Sequence, residues 1–261
     1  MIGLRRRPVA PDRGVSSGGA AADSVLRLQD VTKVYGDVRA LGGVSVDVAA
    51  GELVAVVGPS GSGKSTMLNI VGTLDRPTSG TVTIAGNDVG TMSDDALSLL
   101  RADHVGFVFQ HFHLQSGATA AENVADGLLY AGTRRAERQA RAVGALERVG
   151  LGRRVDHRPN QLSGGEKQRV AIARAIVGEP TILLADEPTG ALDTASGTAI
   201  LELLRELNAG GTTVLVITHD LDLAASLPRQ IRMRDGLVQS DSSSDAAELA
   251  AAIHGGPGGV A

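Results

Sequence analysis

The 261-residue chain has no cysteine and no tryptophan, and only two tyrosines and three phenylalanines. The lack of cysteine excludes a disulfide scaffold and fits a reducing compartment. With aromatics scarce, Leu, Val, Ile and Ala must build the core. No apolar run approaches the ~20 residues that a spanning helix needs. The longest, Leu53–Val57 and Val214–Ile217, are short and strand-like. Any membrane role therefore falls to a separate partner. Arg5, Arg6 and Arg7 are followed by no hydrophobic segment, so the start does not read as a secretory signal. A net charge of −4 and a pI near 5.9 leave no basic footprint, and no nucleic-acid partner is expected. These absences predict a soluble, cytoplasmic protein. Its length can bury one large domain or two lobes.

Residues 1–24, rich in Arg, Pro, Gly, Ser and Ala, read as a disordered leader, or as a translation start placed too early. Residues 241–261 read as a flexible tail, with a short helix at Asp245–Ile253. From Val25 to about Asn87, strand-like segments (Leu26–Val31, Val44–Val48, Leu53–Val57, Thr81–Ala85) surround one helix that begins at Lys64. From Ser93 to about Arg158 the pattern turns helical. Ser93 with Asp94 and Asp95 makes a helix start, and Ala136, Ala140, Val143, Leu146 and Val149 recur at helical spacing before Gly150. After Ser163 the α/β alternation returns: a helix ends at Gly178-Glu179-Pro180, an apolar strand covers Ile182–Ala185, a helix spans about Ser196–Leu207, and a second strand runs over Val214–Thr218. Apolar strands between helices predict a parallel sheet covered on both faces.

Gly58-Pro59-Ser60-Gly61-Ser62-Gly63-Lys64-Ser65-Thr66 fits G-x-x-x-x-G-K-[ST], after a strand and opening a helix. Glycines let the backbone N–H groups curl around a phosphate, and the helix N-terminus adds partial positive charge. Lys64 would reach the β- and γ-phosphates, and the Ser65 hydroxyl would ligate Mg²⁺. The strand Ile182–Ala185 ends in Asp186 and Glu187, at the strand edge where open α/β sheets bind ligands. Asp186 suits the shell of a metal. Glu187 suits a general base, a role worth about 10²–10⁴ in rate, although acids here also cap helices. Ser163-x-x-Glu166 is a capping box before an apolar-periodic helix, and such a helix start also offers N–H groups and a hydroxyl to an anion. His219 follows the second apolar strand, where an imidazole could reach a γ-phosphate. Gln110 could reach a metal and the attacking water. Tyr35 could stack on adenine, or be an ordinary strand-end tyrosine.

Taken in order, these elements resemble the nucleotide-binding domain of an ATP-binding cassette (ABC) transporter over about Val25 to Val238. Tyr35 is similar to the family's adenine-stacking aromatic, Gly58–Thr66 to its Walker A loop and Gln110 to its Q-loop glutamine. Leu162-Ser163-Gly164-Gly165-Glu166-Lys167-Gln168-Arg169 resembles the signature motif, Ile182–Asp186 the Walker B strand and Glu187 the catalytic glutamate. Ala191-Leu192-Asp193 resembles the D-loop, and His219 the switch histidine. The resemblance implies a P-loop NTPase (RecA-like) core over 25–92 and 159–240. An antiparallel β subdomain belongs to it, and an α-helical subdomain is inserted over 93–158. It implies ATP and Mg²⁺ as cofactors, Ser65, Gln110 and Asp186 as metal ligands, and catalysis by Lys64, Gln110, Glu187 and His219. Two copies, or a copy and a paired ABC subunit, would sandwich two ATP molecules, each between one Walker A loop and the opposite signature. An integral membrane permease or FtsX-like subunit would receive the motion, placing the chain on the inner face of the cell membrane.

Gly72–Gly80, Glu122-Asn123-Val124 and Ala185–Asp193 further resemble the group that contains lipoprotein-releasing, macrolide-exporting and FtsE-type ATPases. A transporter ATPase and a regulatory, FtsE-like ATPase both fit that group. The chain departs from the group between Phe109-Gln110 and Glu122: Gln115, Ser116, Ala118 and Ala121 stand where larger apolar residues or proline are usual. In the family this segment lines the groove for the membrane subunit's coupling helix, so an unusual docking partner or weaker coupling is expected. Chromosome-organising ATPases place long coiled coils between the Walker motifs, and too few residues separate Lys64 from Asp186 for that. Ribosome-acting ABC proteins carry two cassettes, and a P-loop kinase has no need of the signature.

Overall fold

A computed structural model describes residues 24–243. Most of the expected leader and tail, and the helix expected at Asp245–Ile253, lie outside them. At the two margins the expectation is corrected: Ser24 opens the first strand and Asp241 closes the last one.

Strands β1 (Ser24–Tyr35) and β2 (Val38–Ala49) form an antiparallel hairpin. Later in the chain β4 (Ser79–Ile84) and the two-residue β5 (Asn87–Asp88) join it in the order β2-β1-β4-β5. Buried Leu26, Leu28, Val31, Val44, Val46 and Val48 give the hairpin one apolar face. Polar residues such as Arg27 and Asp47, paired at 2.7 Å, take the other.

The second sheet has the order β10-β9-β3-β8-β7-β6. It contains β3 (Leu53–Val57), β6 (Val105–Val108), β7 (Ile182–Asp186), β8 (Thr213–Thr218), β9 (Arg229–Arg234) and β10 (Leu237–Asp241). All neighbours run parallel except the terminal β9–β10 pair. The reason is visible in β3, β7 and β8, which are apolar on both faces. Leu53, Ala55 and Val57 point to one side, with Leu183, Ala185, Val214 and Val216. Val54 and Val56 point to the other, with Ile182, Leu184, Leu215 and Ile217. Each such Val, Leu or Ile contributes about 1.5–3 kcal/mol through burial, and only a sheet covered twice can use both faces.

Helices provide those covers. On one side lie α1 (Lys64–Val71), α2 (Asp94–His104) and the hairpin sheet. On the other lie α3 (Ala120–Ala125), α4 (Arg135–Arg148), α5 (Gly164–Ile176), α6 (Thr194–Ala209) and the short α7 (Leu221–Ala225). The caps follow the sequence closely. Ser93 Oγ accepts the Ala96 N–H at 3.3 Å to start α2, Thr119 and Glu122 form a reciprocal box on α3, and Gly150, at φ +77°, follows the end of α4.

Two features differ from the sequence expectation. The stretch read as helical from Ser93 contains β6, which pairs with β7 in the main sheet, and α2 packs with the core beside it. The β9–β10 hairpin was not anticipated. Its Arg229-Gln230-Ile231-Arg232-Met233-Arg234 run alternates between buried and outward-facing residues and looks polar as a whole. The Asp235-Gly236 turn between them, with both φ positive (+50° and +75°), is the sequence signal that marks it.

Candidate active site

The phosphate loop joins β3 to α1 and is fixed from two sides. Gly236 N–H donates to the Ser62 carbonyl at 3.1 Å, and Gly42 N–H donates to Gly236 at 2.8 Å. These bonds place β2 and the β9–β10 turn directly against the loop. Glycine is required where they meet. Gly63 sits at φ +96°, and a Cβ there would lie 2.6 Å from the Ala40 carbonyl oxygen; at Gly58 it would strike the Met233 carbonyl.

Inside the loop, Lys64 Nζ donates to the carbonyls of Gly58 (2.7 Å) and Pro59 (2.9 Å) and to Ser62 Oγ (3.3 Å). Burial pushes its ammonium below the usual lysine range, while the charges of Glu187 and Asp186 oppose that shift. Ser62 N–H is used by Pro59 and Met67 N–H by Gly63. No described residue accepts the N–H groups of Gly61, Gly63, Lys64, Ser65 or Thr66. Unpaired N–H groups at a helix start, with a buried ammonium beside them, form a cradle that fits a polyphosphate.

Two carboxylates close the other side. Asp186 ends β7 and is partly buried; burial, and then the neighbouring Glu187 charge, raise its pKa against the pull of Lys64. Glu187 takes a left-handed backbone (φ +46°) that is sparsely populated by residues other than glycine, held by its N–H to the Ile217 carbonyl at 2.8 Å. Its side chain is gripped from the end of β8. Oε1 accepts from the His219 N–H (2.8 Å) and from His219 Nδ1 (2.6 Å), and Oε2 accepts from the Thr218 hydroxyl at 3.0 Å. A carboxylate only accepts, so Nδ1 carries the proton and Nε2 is left outward. The imidazole is largely exposed while the carboxylate is mostly shielded.

Tyr35 lies beside the helix start, with Thr66 near its phenol. Its hydroxyl donates to Asp75 Oδ2 at 2.5 Å, and the Lys33 ammonium stands 4.8 Å from the ring centroid. Lys33 also pairs with Asp75 Oδ1 at 2.6 Å. One face of the ring is thus used by a cation. The hydrogen bond to Asp75, then burial, raises the phenol pKa.

The Leu162–Arg169 segment stands apart from this cluster. Ser163 Oγ accepts the Glu166 N–H at 3.2 Å, and Glu166 returns Oε2 to the Ser163 N–H at 2.8 Å. Arg154 Nε donates to Glu166 Oε1 at 3.1 Å. Gly165 lies against Ser196 at the start of α6, whose N-cap Asp193 accepts the Ser196 N–H at 2.9 Å. Among the described residues, none of these groups bonds to the phosphate loop. Gln110 lies along the turn after Glu187: a Cβ on Gly190 would sit 2.9 Å from Gln110 Nε2. Lys33, Asp75 and Thr218 join the site unanticipated, and Gln168, expected only as part of the signature string, reaches the Phe109 and Pro188 carbonyls. Thr218, adjacent to His219 at a strand end, is the one whose position in the sequence could have signalled it.

A groove of about 880 Å³ lies away from the phosphate loop, lined by Leu99, Phe107, Phe109, His113, Tyr130 and Arg174 among others. Phe107 and Phe109 stack with centroids 5.5 Å apart, and His113 meets Phe109 edge-on. Arg174 donates to the Phe112 and His113 carbonyls. Gln115 and Ala118 instead line a neighbouring polar cleft with Glu122, Asp126 and Arg135. There the Gln115 amide donates to Asp126 at 2.7 Å, and buried Asn123 holds the loop through Gln115, Ala118 and Thr119.

A doubly covered parallel sheet with a phosphate cradle, a strand-end carboxylate pair and a histidine defines a P-loop ATPase. The ABC transporter family profile matches residues 41–190. The chain is 50% identical over 222 residues to the macrolide export ATP-binding/permease protein MacB of Hyphomonas neptunium, which covers 84% of this chain and 34% of that protein. It is 51% identical over 229 residues to the pyoverdine export ATP-binding/permease protein PvdT of Pseudomonas putida, covering 86% and 35%. Among solved structures it is similar to the dimeric ATP-binding cassette MJ0796 in a post-hydrolysis state bound to ADP and Pi, at 46% identity and a TM-score of 0.75 over 83% of this chain and 97% of that one. It is also similar to CbiO1 of Clostridium perfringens, described as part of an ABC transporter complex, at 31% identity and a TM-score of 0.78 over 87% and 92%. The chain belongs to the ABC transporter family, as an ATP-binding, ATP-hydrolysing cassette. It spans about a third of the length of the curated relatives it matches.

Proposed function

We propose that this cassette works as a head-to-tail pair, with either a second copy or a paired ABC subunit. Each ATP would lie between one phosphate loop and the opposite Ser163–Glu166 helix start. Lys64 and the unpaired N–H groups hold the β- and γ-phosphates, and Tyr35 offers its free face to adenine. Glu187 accepts a proton from the attacking water, which Gln110 helps orient, and His219 faces the γ-phosphate. Ser65, Asp186 and Gln110 offer the few oxygen ligands that suit Mg²⁺, an ion that keeps waters and phosphates in its remaining positions. When bound, Mg²⁺ would neutralise charge that develops on the transferred phosphoryl group.

The observation that carries this reading is the separation of the two half-sites. The signature helix start is complete and capped, yet in its own chain it bonds to Arg154 and packs against α6 rather than the phosphate loop. A mixing experiment tests it. Copies carrying Lys64→Ala keep an intact signature, and copies carrying Ser163→Arg keep an intact loop. Each alone should be inactive, and the mixture should regain ATPase activity through composite sites. A mixture as inactive as its components would overturn a sandwich between two copies of this chain.

No described helix is long and apolar enough to cross a membrane. The relatives' names join an ATP-binding part to a permease, which supports a membrane partner and a place on the inner face of the cell membrane. The proposed output is export, or an extracytoplasmic shape change driven through that partner. Isolating the native complex in mild detergent with the Glu187→Gln variant tests this. Recovery of a multi-span permease or an FtsX-like subunit is the expected result, and a cassette recovered alone would count against it.

A further inference from the structure

One buried polar side chain in the site has no role in the cycle described above. Gln168 lies on α5 and is fully shielded from solvent. Its Nε2 donates to the Pro188 carbonyl at 2.8 Å, with the Phe109 carbonyl at 3.4 Å. Two carbonyls at one end settle which way the amide faces, because an oxygen there would meet only acceptors. Oε1 then points away and has no hydrogen-bond partner among the described residues. A buried acceptor left unpaired weakens a fold, and an apolar residue of similar size would avoid that. The amide therefore needs another reason to be there.

The two carbonyls supply it. Phe109 immediately precedes Gln110, and Pro188 immediately follows Glu187. The Gly190 N–H closes the turn back onto the Glu187 carbonyl at 3.1 Å, and Gln110 lies along the same turn at Gly190. One amide thus ties together the base of the Q-loop and the turn behind the strand-end carboxylate. It does so from the helix whose first turn is the signature, about 1.5 Å of rise per residue away along a rigid rod. A shift of that helix start moves Gln168, and with it both carbonyls.

Resting on the ATPase cycle above, we propose that Gln168 is a positioning residue that couples the signature helix to Gln110 and Glu187. It touches neither nucleotide nor water, and acts through the Phe109 and Pro188 carbonyls.

The test uses the full chain. Gln168→Met keeps the length of the side chain and removes its donor. ATP affinity should stay near wild type. Melting should fall by a few degrees at most, because losing the donor to the Pro188 carbonyl is offset by removing the unpaired Oε1. Turnover should change more, with kcat falling about tenfold and KM changing by less than about threefold. In a Gln110→Ala background the same substitution should lower kcat by less than about threefold, because the two residues act through one loop. Gln168→Glu adds an independent readout. Burial raises the pKa of a carboxyl group, and its protonated form donates as the amide does. The ratio of variant to wild-type turnover should therefore rise as the pH falls from about 8 to about 6. Additive losses in the double variant, a flat ratio across pH, or an effect confined to KM or to stability would each overturn the proposal. If Gln168→Met does not fold, the pH ratio of Gln168→Glu decides. If neither variant folds, Gln168 is architectural and the proposal fails. Wild-type turnover by Gln110→Ala and Glu187→Gln would instead overturn the ATPase-cycle reading itself.

Discussion

Glu187→Gln separates the chemistry of this site from its architecture. The carboxylate accepts three hydrogen bonds, two from His219 at Oε1 and one from the Thr218 hydroxyl at Oε2. Glutamine has the same shape but one accepting and one donating end. Its oxygen must stay with His219, where both groups donate, so its NH₂ turns to Thr218, whose hydroxyl can accept. All three contacts survive, but charge-assisted bonds become neutral ones of roughly half the strength. With net values near 1 kcal/mol per bond, the fold should lose about 1–2 kcal/mol. At roughly 2–4 °C per kcal/mol, melting should fall by several degrees and no more. Turnover loses its proton acceptor, a loss of about 10²–10⁴, or roughly 3–5 kcal/mol of barrier. Phosphate release at saturating ATP, nucleotide affinity and a thermal melt measure the three quantities. Size exclusion in the presence of ATP should show a persistent dimer. Turnover within about threefold of wild type in a folded variant would remove Glu187 from the chemistry. A collapse of the melt with loss of ATP binding would show that the carboxylate is a strut between β7 and β8.

Ser163→Arg should abolish hydrolysis while ATP binding by a single copy stays measurable; loss of binding as well would mean that the damage is to the α5 cap and the fold. Gln115→Leu combined with Ser116→Pro removes the amide bond to Asp126 and should change partner-stimulated ATPase activity. Unchanged stimulation would exclude this segment from coupling. The third concerns acid stability. Burial alone would push the Asp241 carboxyl up, but the Arg229 hydrogen bonds, the Ser243 N–H and the Arg229 charge outweigh it and hold it below the usual range. Its contribution is therefore complete above about pH 4 and is lost as the pH falls through the depressed folded value. The melting gap between wild type and Asp241→Asn should close on acidification below about pH 4, and a gap that stays constant would refute the linkage.

Features dictated by neighbours in the chain were readable in the sequence. The β3–loop–α1 unit, the two apolar strands and the helix starts at Ser93 and Ser163 all rest on short-range rules: runs of buried residues, capping boxes and glycine turns. What escaped depends on distant partners. Val105–Val108 is too short and too close behind α2 to read as a strand, and only β7 makes it one. Arg229 looks like a surface residue until Glu52 and Asp241 close around it at 2.6 Å each. Asp75 looks like a loop acid until Lys33 and Tyr35, some forty residues earlier, reach it. The grip on Glu187 could not be foreseen from its own strand, because its donors come from the end of β8.

Ser163-Gly164-Gly165-Glu166 shows how one short string can satisfy several demands at once. The capping box uses the N–H groups of Ser163 and Glu166 and leaves those of Gly164 and Gly165 without a partner among the described residues. A side chain at Gly164 would approach Leu192 at 3.3 Å, and one at Gly165 would approach Ser196 at 3.1 Å. A Cβ at either glycine would be a tight fit that Leu192 or Ser196 must yield to by a few tenths of an ångström. A capping box needs only serine and glutamate, so capping does not explain the glycines. Two donors stay open at the positive end of this thirteen-residue helix, as at any helix start, and in the proposed sandwich they would meet the other subunit's nucleotide. Replacing Gly165 with alanine therefore discriminates between the demands. If packing alone matters, pushing Ser196 aside should cost stability and leave turnover per folded molecule unchanged. If the helix start must reach a γ-phosphate, turnover should fall while the melt barely moves.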